Sequence, residues 1–206
     1  AQRWGLTGAH DAGAGEDVLD IYEELGRSGQ LNFRMYAMIS GGRSESAALD
    51  RVMAKGPRSA LYGGTLWIRS IKLYADGAMG SRGAALLDPY SDDLKNNGLL
   101  VSEPAFLKAI SVKALKAGFQ VNTHAIGDRG NRATLDAFEA ALKEVPVADH
   151  RFRIEHAQIL NYADIPRFAQ LGVIPSMQAS HQTSDMYWAE ARLGAGRLLG
   201  AYAWRS

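Results

Sequence analysis

The chain of 206 residues contains no cysteine. Disulfides and thiolate metal sites are excluded. The compartment stays open, because a cysteine-free chain suits cytosol and periplasm alike; the cytoplasm is the working expectation. No apolar run approaches the roughly 18 residues of a membrane-spanning helix. The opening Ala1-Gln2-Arg3-Trp4-Gly5-Leu6-Thr7-Gly8 lacks the apolar stretch of a signal peptide and reads as the middle of a domain; the ending Tyr202-Ala203-Trp204-Arg205-Ser206 is as abrupt. An excess of one charge is missing too. With 23 Lys and Arg against 22 Asp and Glu the formal net charge is +1, which gives no electrostatic ground for a nucleic-acid or membrane partner. Internal repeats and low-complexity segments are absent.

What is present is ordinary for a globular protein: 47% apolar and 22% charged residues, in a length that fits one domain, residues 1–206, with a real core. Short strand-like runs alternate with helical periodicity. Strands are expected at 5–10, 32–39, 66–75, 119–124, 151–156 and 172–177. Helices are expected at 16–27, 44–54, 102–117, 130–143, 162–170 and 184–200, with Ser102 and Asp128 as N-caps. A loop of about 25 residues follows the third strand, a length typical of functional loops. Such alternation means a parallel sheet with right-handed crossovers.

Four of these strands end in chemistry-bearing residues followed by turns: Lys72-Leu73-Tyr74-Ala75-Asp76-Gly77, His124-Ala125-Ile126-Gly127-Asp128, Glu155-His156-Ala157-Gln158 and Ser176-Met177-Gln178. Barrel strands deliver functional side chains to the open end in this way. Lys72 shares a strand face with Ser70 and Tyr74. Its amine either occupies a cavity, where a deprotonated lysine can add CO2 and become a carboxylate-like carbamate, or snorkels to water. His124 is a metal ligand, a general base or a hydrogen-bonded histidine at a helix start. His156 lies one strand–helix unit further on, so the two histidines should stand on adjacent strands at one height and make a metal pair. By alternation Glu155 then points to the opposite face. His181 is either a substrate contact at the rim or a solvated loop residue. The glycines of Asp76-Gly77-Ala78-Met79-Gly80-Ser81-Arg82-Gly83 match neither the P-loop nor the dinucleotide pattern. The segment reads as a substrate-side loop in which Arg82 meets a carboxylate or stays solvated.

Together with Gly5-Leu6-Thr7, His10-Asp11-Ala12-Gly13, Gly80-Ser81-Arg82 and Asn97-Gly98, these segments resemble the metal-dependent amidohydrolase superfamily, in particular its amidohydrolase 3 group. The resemblance runs in order along essentially the whole chain. It implies a (β/α)8 TIM barrel, here incomplete and spanning about strands 2 to 7, with a metal centre at the carboxyl-end mouth. Lys72, often carboxylated in the family, His124 and His156 correspond to metal ligands; the cofactor would be one or two divalent ions, zinc above all. The implied reaction is hydrolysis of C–N bonds in small amide-type, non-peptide substrates by a metal-activated water, with Tyr74, Arg82, Gln178 and His181 as candidate substrate contacts. Two family features are missing: the His-x-His pair of the first strand, and the aspartate of the eighth that serves as general base. The chain is therefore expected to be an internal fragment, with weak or absent metal binding, no hydrolysis of its own, and open edges that invite a homo-oligomer. Readings from other classes are a catalytically inactive binding or scaffold module of the same fold, and an α/β protein that binds a phosphorylated ligand at Gly77–Gly83.

Overall fold

A computed structural model describes residues 2–44 and 46–203. The elements alternate: β1 (Gly8–Ala14), α1 (Glu16–Arg27), β2 (Arg34–Ser40), α2 (Ala47–Ala54), β3 (Arg58–Ala60), α3 (Leu61–Gly64), β4 (Leu66–Tyr74), α4 (Pro104–Lys116), β5 (Gln120–Ala125), α5 (Asp128–Glu144), β6 (Arg153–His156), α6 (Ile165–Leu171), β7 (Ile174–Ser176), α7 (Ala179–Asp185) and α8 (Ala189–Leu198). The strand order is β1-β2-β4-β5-β6-β7, every neighbouring pair parallel. This is a half barrel of six parallel strands: the parallel sheet that the alternation predicts, and the incomplete TIM barrel that the resemblance implies. The sheet curves enough for Nη1 of Arg153 on β6 to lie 3.2 Å from Nδ1 of His10 on β1, across the concave side.

The two faces of the sheet differ in chemistry. Ile71 and Leu73 of β4, Val121 of β5 and Ile154 of β6 point outward and bury against the helices, among them Leu107 of α4 and Phe138 of α5. Each such side chain contributes about 1.5–3 kcal/mol by leaving water. The inner face is polar. Ser70, Lys72 and Tyr74 stand in register with Gln120, Asn122 and His124, and Asn122 and His124 with Arg153 and Glu155. Register partners in a parallel sheet share a face, so these residues form rows across the concavity.

Several boundaries differ from expectation. The first strand runs 8–14 instead of 5–10, since its pairing with β2 starts at Gly8 and Arg34; its small residues carry little apolar periodicity. β3, which meets β4 antiparallel through Arg58 and Ile68, and the short α3 are not anticipated. The helix expected over 184–200 is two, α7 and α8, and α8 is itself broken at Gly194 (φ 71°, ψ 157°). Glu103 and Gly127 take the N-cap positions expected of Ser102 and Asp128. Asp128 instead begins α5, its Oδ1 accepting from the backbone N–H of Leu87 and Arg129.

The loop between β4 and α4 has a small core of its own. Met79, Leu86 and Tyr90 bury against Ile126, Ile159 and Leu193. Arg197 of α8 donates to the carbonyls of Asp88 and Pro89 at 2.9 and 2.8 Å. The loop backbone also presses on the start of α5. A Cβ on Gly127 would stand 2.0 Å from the Ala85 carbonyl oxygen, and one on Gly98 (φ +70°) 1.9 Å from that of Ala84, so only glycine fits at either position.

β1 and β7 end the strand order, and Leu6 and Ile174 beside them are 55% and 44% exposed. Open strand edges pair readily with other chains. The 206-residue chain by itself is expected to sediment above monomer mass at micromolar concentration; a monodisperse monomer would contradict this. No helix among the described residues is long and apolar enough to cross a membrane.

Candidate metal centre

Lys72, near the carboxyl end of β4, is 2% exposed. Its Nζ donates to the Leu73 carbonyl at 2.9 Å and sits 3.6 Å from the centre of the Tyr74 ring. Burial pushes its pKa from 10.5 down to about 8, with the Glu155 carboxylate opposing the shift. A lysine so placed reaches its neutral, nucleophilic form far more easily than one in water.

His124 stands one strand over, its side chain 14% exposed. Its Nε2 lies 3.2 Å from the Gly77 carbonyl oxygen and 3.4 Å from Oδ1 of Asp76. Both neighbours accept hydrogen bonds, so Nε2 carries the proton and Nδ1 keeps a lone pair. His156 arrives differently. Glu155 shares the inner face with His124, and simple alternation would turn His156 outward with Ile154. The backbone instead enters the left-handed region at His156 (φ 77°) and Ala157 (φ 41°), at a cost of about 1–2 kcal/mol per residue. That turn swings the imidazole back inside. Its ring centre lies 4.6 Å from that of His124 in a T-shaped arrangement, and 5.2 Å from that of His181, stacked. The expectation that Glu155 faces away is thus corrected. Glu155 lines the same cavity of about 340 Å³ as Lys72, His156, Met177 and Gln178, with Oε1 held by Nε and Nη2 of Arg153 at 2.8 and 2.6 Å.

Burial lowers the pKa of His156 from 6.5 to about 4, helped by the electrostatic effect of neighbouring His124 and opposed by the hydrogen bond to Gln178. Between these two values the unfolded chain takes up a proton that the folded chain refuses. Stability should therefore fall as pH drops from 6.5 towards 4, with the loss complete below about 4. Urea midpoints across that window should track this loss, and His156→Gln should flatten it. An unchanged slope in that variant would place the titration elsewhere.

The structure thus brings Lys72, His124 and His156 to one end of the sheet. The four candidate substrate contacts fare differently. The Tyr74 ring neighbours both Lys72 and His124, its centre 3.6 Å from Nζ of the first and 5.8 Å from the ring centre of the second, and its hydroxyl reaches the Ala12 carbonyl at 3.3 Å. His181 sits in α7 against His156. Gln178 is bonded to His156, its Oε1 2.5 Å from Nδ1. Arg82 is drawn away into a bidentate pair with Asp92, at 3.1 and 3.0 Å, in which Arg192 joins. Within the Gly77–Gly83 segment the amides of Gly77, Arg82 and Gly83 donate to carbonyls of the same segment.

One important residue carries no assigned role in the sequence reading. Asp76 is buried, and its carboxylate accepts backbone N–H bonds from Ala85 (2.9 Å), Ile126 (2.9 Å) and Gly127 (2.8 Å). The available signal is an acidic residue directly after an apolar strand and before a glycine.

A half barrel with an amine and two imidazoles at the carboxyl ends of its strands has the architecture of metal-dependent hydrolases. The model of the amidohydrolase family matches residues 1–206, and the chain belongs to that family. It is 33% identical over 207 residues to YtcJ of Bacillus subtilis (strain 168), which carries an amidohydrolase name; the match takes in 98% of this chain and 37% of YtcJ. It is 28% identical over 179 residues to the N-substituted formamide deformylase of Arthrobacter pascens, covering 82% of this chain and 31% of that protein. The crystal structure of an uncharacterized metal-dependent hydrolase from Pyrococcus furiosus superposes with a TM-score of 0.85 at 30% identity, over 98% of this chain and 40% of that one. The chain therefore spans under half the length of each of these three proteins.

Proposed function

We propose that this chain forms the central part of the catalytic barrel of a metal-dependent hydrolase that cleaves C–N bonds of small, non-peptide amides. The observation that carries the reading is the meeting of a buried amine of lowered pKa with two imidazoles at the carboxyl ends of neighbouring strands. The residues fit a cation. Among the described residues no three His, Cys, Asp or Glu side chains are grouped to hold one, so the two histidines need Lys72, as its carbamate, to complete a set. Beside Lys72 in register, fully buried Asn122 has neither amide nitrogen nor oxygen partnered. Such orphans are rare and point to a missing polar group.

A divalent ion, zinc by preference, would lower the pKa of a bound water and polarise the scissile carbonyl. The chain's own residues do the rest. His124 and His156 hold their lone pairs ready, Tyr74 walls the lysine, and His181 flanks the imidazole pair where a substrate group enters. Arg153 fixes Glu155 at the floor. The general base, an aspartate, comes from outside these 206 residues. The deformylase among the relatives, named for an N-substituted formamide, supports a C–N substrate.

The test is zinc binding and hydrolysis of N-substituted formamides, measured on the full-length protein and on this chain alone. The full-length protein should do both, and the chain alone should not hydrolyse. A full-length protein that binds no divalent metal would favour the inactive scaffold. Robust hydrolysis by the 206 residues would mean that the base lies within them.

A further inference from the structure

We infer that Gln178 is a positioning residue: through the hydrogen bond to His156 it selects the imidazole tautomer that leaves Nε2 bare. The inference rests on the proposed metal centre and reassigns a residue whose type and place at the rim suggested a substrate contact.

The geometry begins with register. β7 pairs with β6 through Arg153 and Ile174, Ile154 and Pro175, and Glu155 and Ser176. Continuing that ladder sets His156 level with Met177, and Gln178 one residue beyond, at the N-cap position of α7 in an extended conformation (φ −115°, ψ 113°). The left-handed backbone at His156 turns its ring toward this point, and Nδ1 meets Oε1 of Gln178 at 2.5 Å. An amide oxygen only accepts, so Nδ1 must carry the proton. Neutral imidazole has one proton to place, and fixing it on Nδ1 leaves the lone pair on Nε2. The fold treats His124 in the opposite sense, with the Gly77 carbonyl drawing the proton to Nε2. The two rings are thus set to opposite tautomers by two unlike acceptors, one a backbone carbonyl and one a side chain. Only the second can be removed by substitution. Outer partners of this kind orient histidine ligands, and their loss typically weakens metal binding by about 10–100-fold.

His181 does not supply this function. It contacts the face of His156 by stacking, with ring planes 20° apart, which biases neither nitrogen.

The experiment uses the full-length protein labelled with 15N-histidine, freed of metal by chelation and held at a pH where the imidazoles are neutral. The His156 signals are identified by their loss in His156→Gln. Long-range 15N–1H correlations then report which nitrogen is protonated. Wild type should show Nδ1–H at His156 and Nε2–H at His124. Gln178→Met, close in volume and without the amide oxygen, should release His156 towards the Nε2–H form that free histidine prefers, leave His124 unchanged, and weaken zinc about 10–100-fold. Gln178→Glu restores an acceptor and should restore the Nδ1–H form. If His156 keeps Nδ1–H in Gln178→Met, or carries the proton on Nε2 in wild type, the inference is overturned. If the tautomer follows Gln178 as expected while no variant binds zinc, the proposed metal centre fails and the role of Gln178 in setting the tautomer stands.

Discussion

Asp76→Ala is expected to remove about 4 kcal/mol of stability, among the largest losses any single side chain here can produce. Three backbone N–H groups, of Ala85, Ile126 and Gly127, converge on this buried carboxylate. Truncation leaves all three without an acceptor, each stranded donor costing about 1–3 kcal/mol. Asp76→Asn should be nearly as damaging. Oδ2 accepts from Ala85 and Gly127, and Oδ1 from Ile126, so either orientation of an amide sets an N–H against at least one backbone donor. Denaturant unfolding of the two variants against wild type measures the loss. If Asp76→Asn proves neutral, the carboxylate does not hold these amides as described. The damage should spread to His124, which sits on the same carboxylate, and to the loop after β4, whose Ala85 it clips.

Lys72→Met should move stability and function in opposite directions. Burial holds the lysine pKa near 8 against an ordinary 10.5. Below about 8 the lysine is charged in both folded and unfolded chains, and the fold bears the full penalty of confining it, about 3 kcal/mol. The penalty fades as pH rises from 8 towards 10.5, where the unfolded chain holds the proton and the folded chain has released it. Methionine removes the charge at similar volume. At neutral pH the metal-free variant should therefore be more stable than wild type by about that amount, and the two stabilities should approach each other in alkali. In the full-length protein the same change should abolish zinc binding and hydrolysis. A Lys72→Met protein that keeps its metal would show that the amine is not part of the centre.

Most of what positions this site can be read from residue order. Ile71, Leu73, Val121 and Ile154 alternate with polar partners, and that period fixes strands and faces without help from tertiary contacts. Lys72 and His124 follow the same rule and lie where it puts them. His156 is reached by breaking it. No composition signal marks a histidine at φ 77°, and alternation counted back from an inward His156 misplaces Glu155. Arg82 shows a second limit: its partner Asp92 is set by the path of a loop that itself depends on α8, 100 residues further on, through Arg192. Gln178 shows a third. A glutamine at a strand end looks the same whether it faces a substrate or a ligand imidazole, and the difference lies in the pairing of β7 with β6. The bounds of the first strand leave little trace in the sequence, because Gly8, Ala9, Ala12, Gly13 and Ala14 offer almost no hydrophobic contrast.

The segment between β4 and α4 has one more consequence. A run of that length without helix or strand ordinarily samples many conformations, and ordering it upon ligand binding subtracts about 1–2 kcal/mol per residue from the affinity gained. Here Met79, Leu86 and Tyr90 pack into a core shared with α8, and Asp76 and Asp128 tie the chain to the start of α5. These contacts are all internal to the chain. Order supplied by such internal contacts is not charged against a ligand, whose own contacts then go into affinity and discrimination.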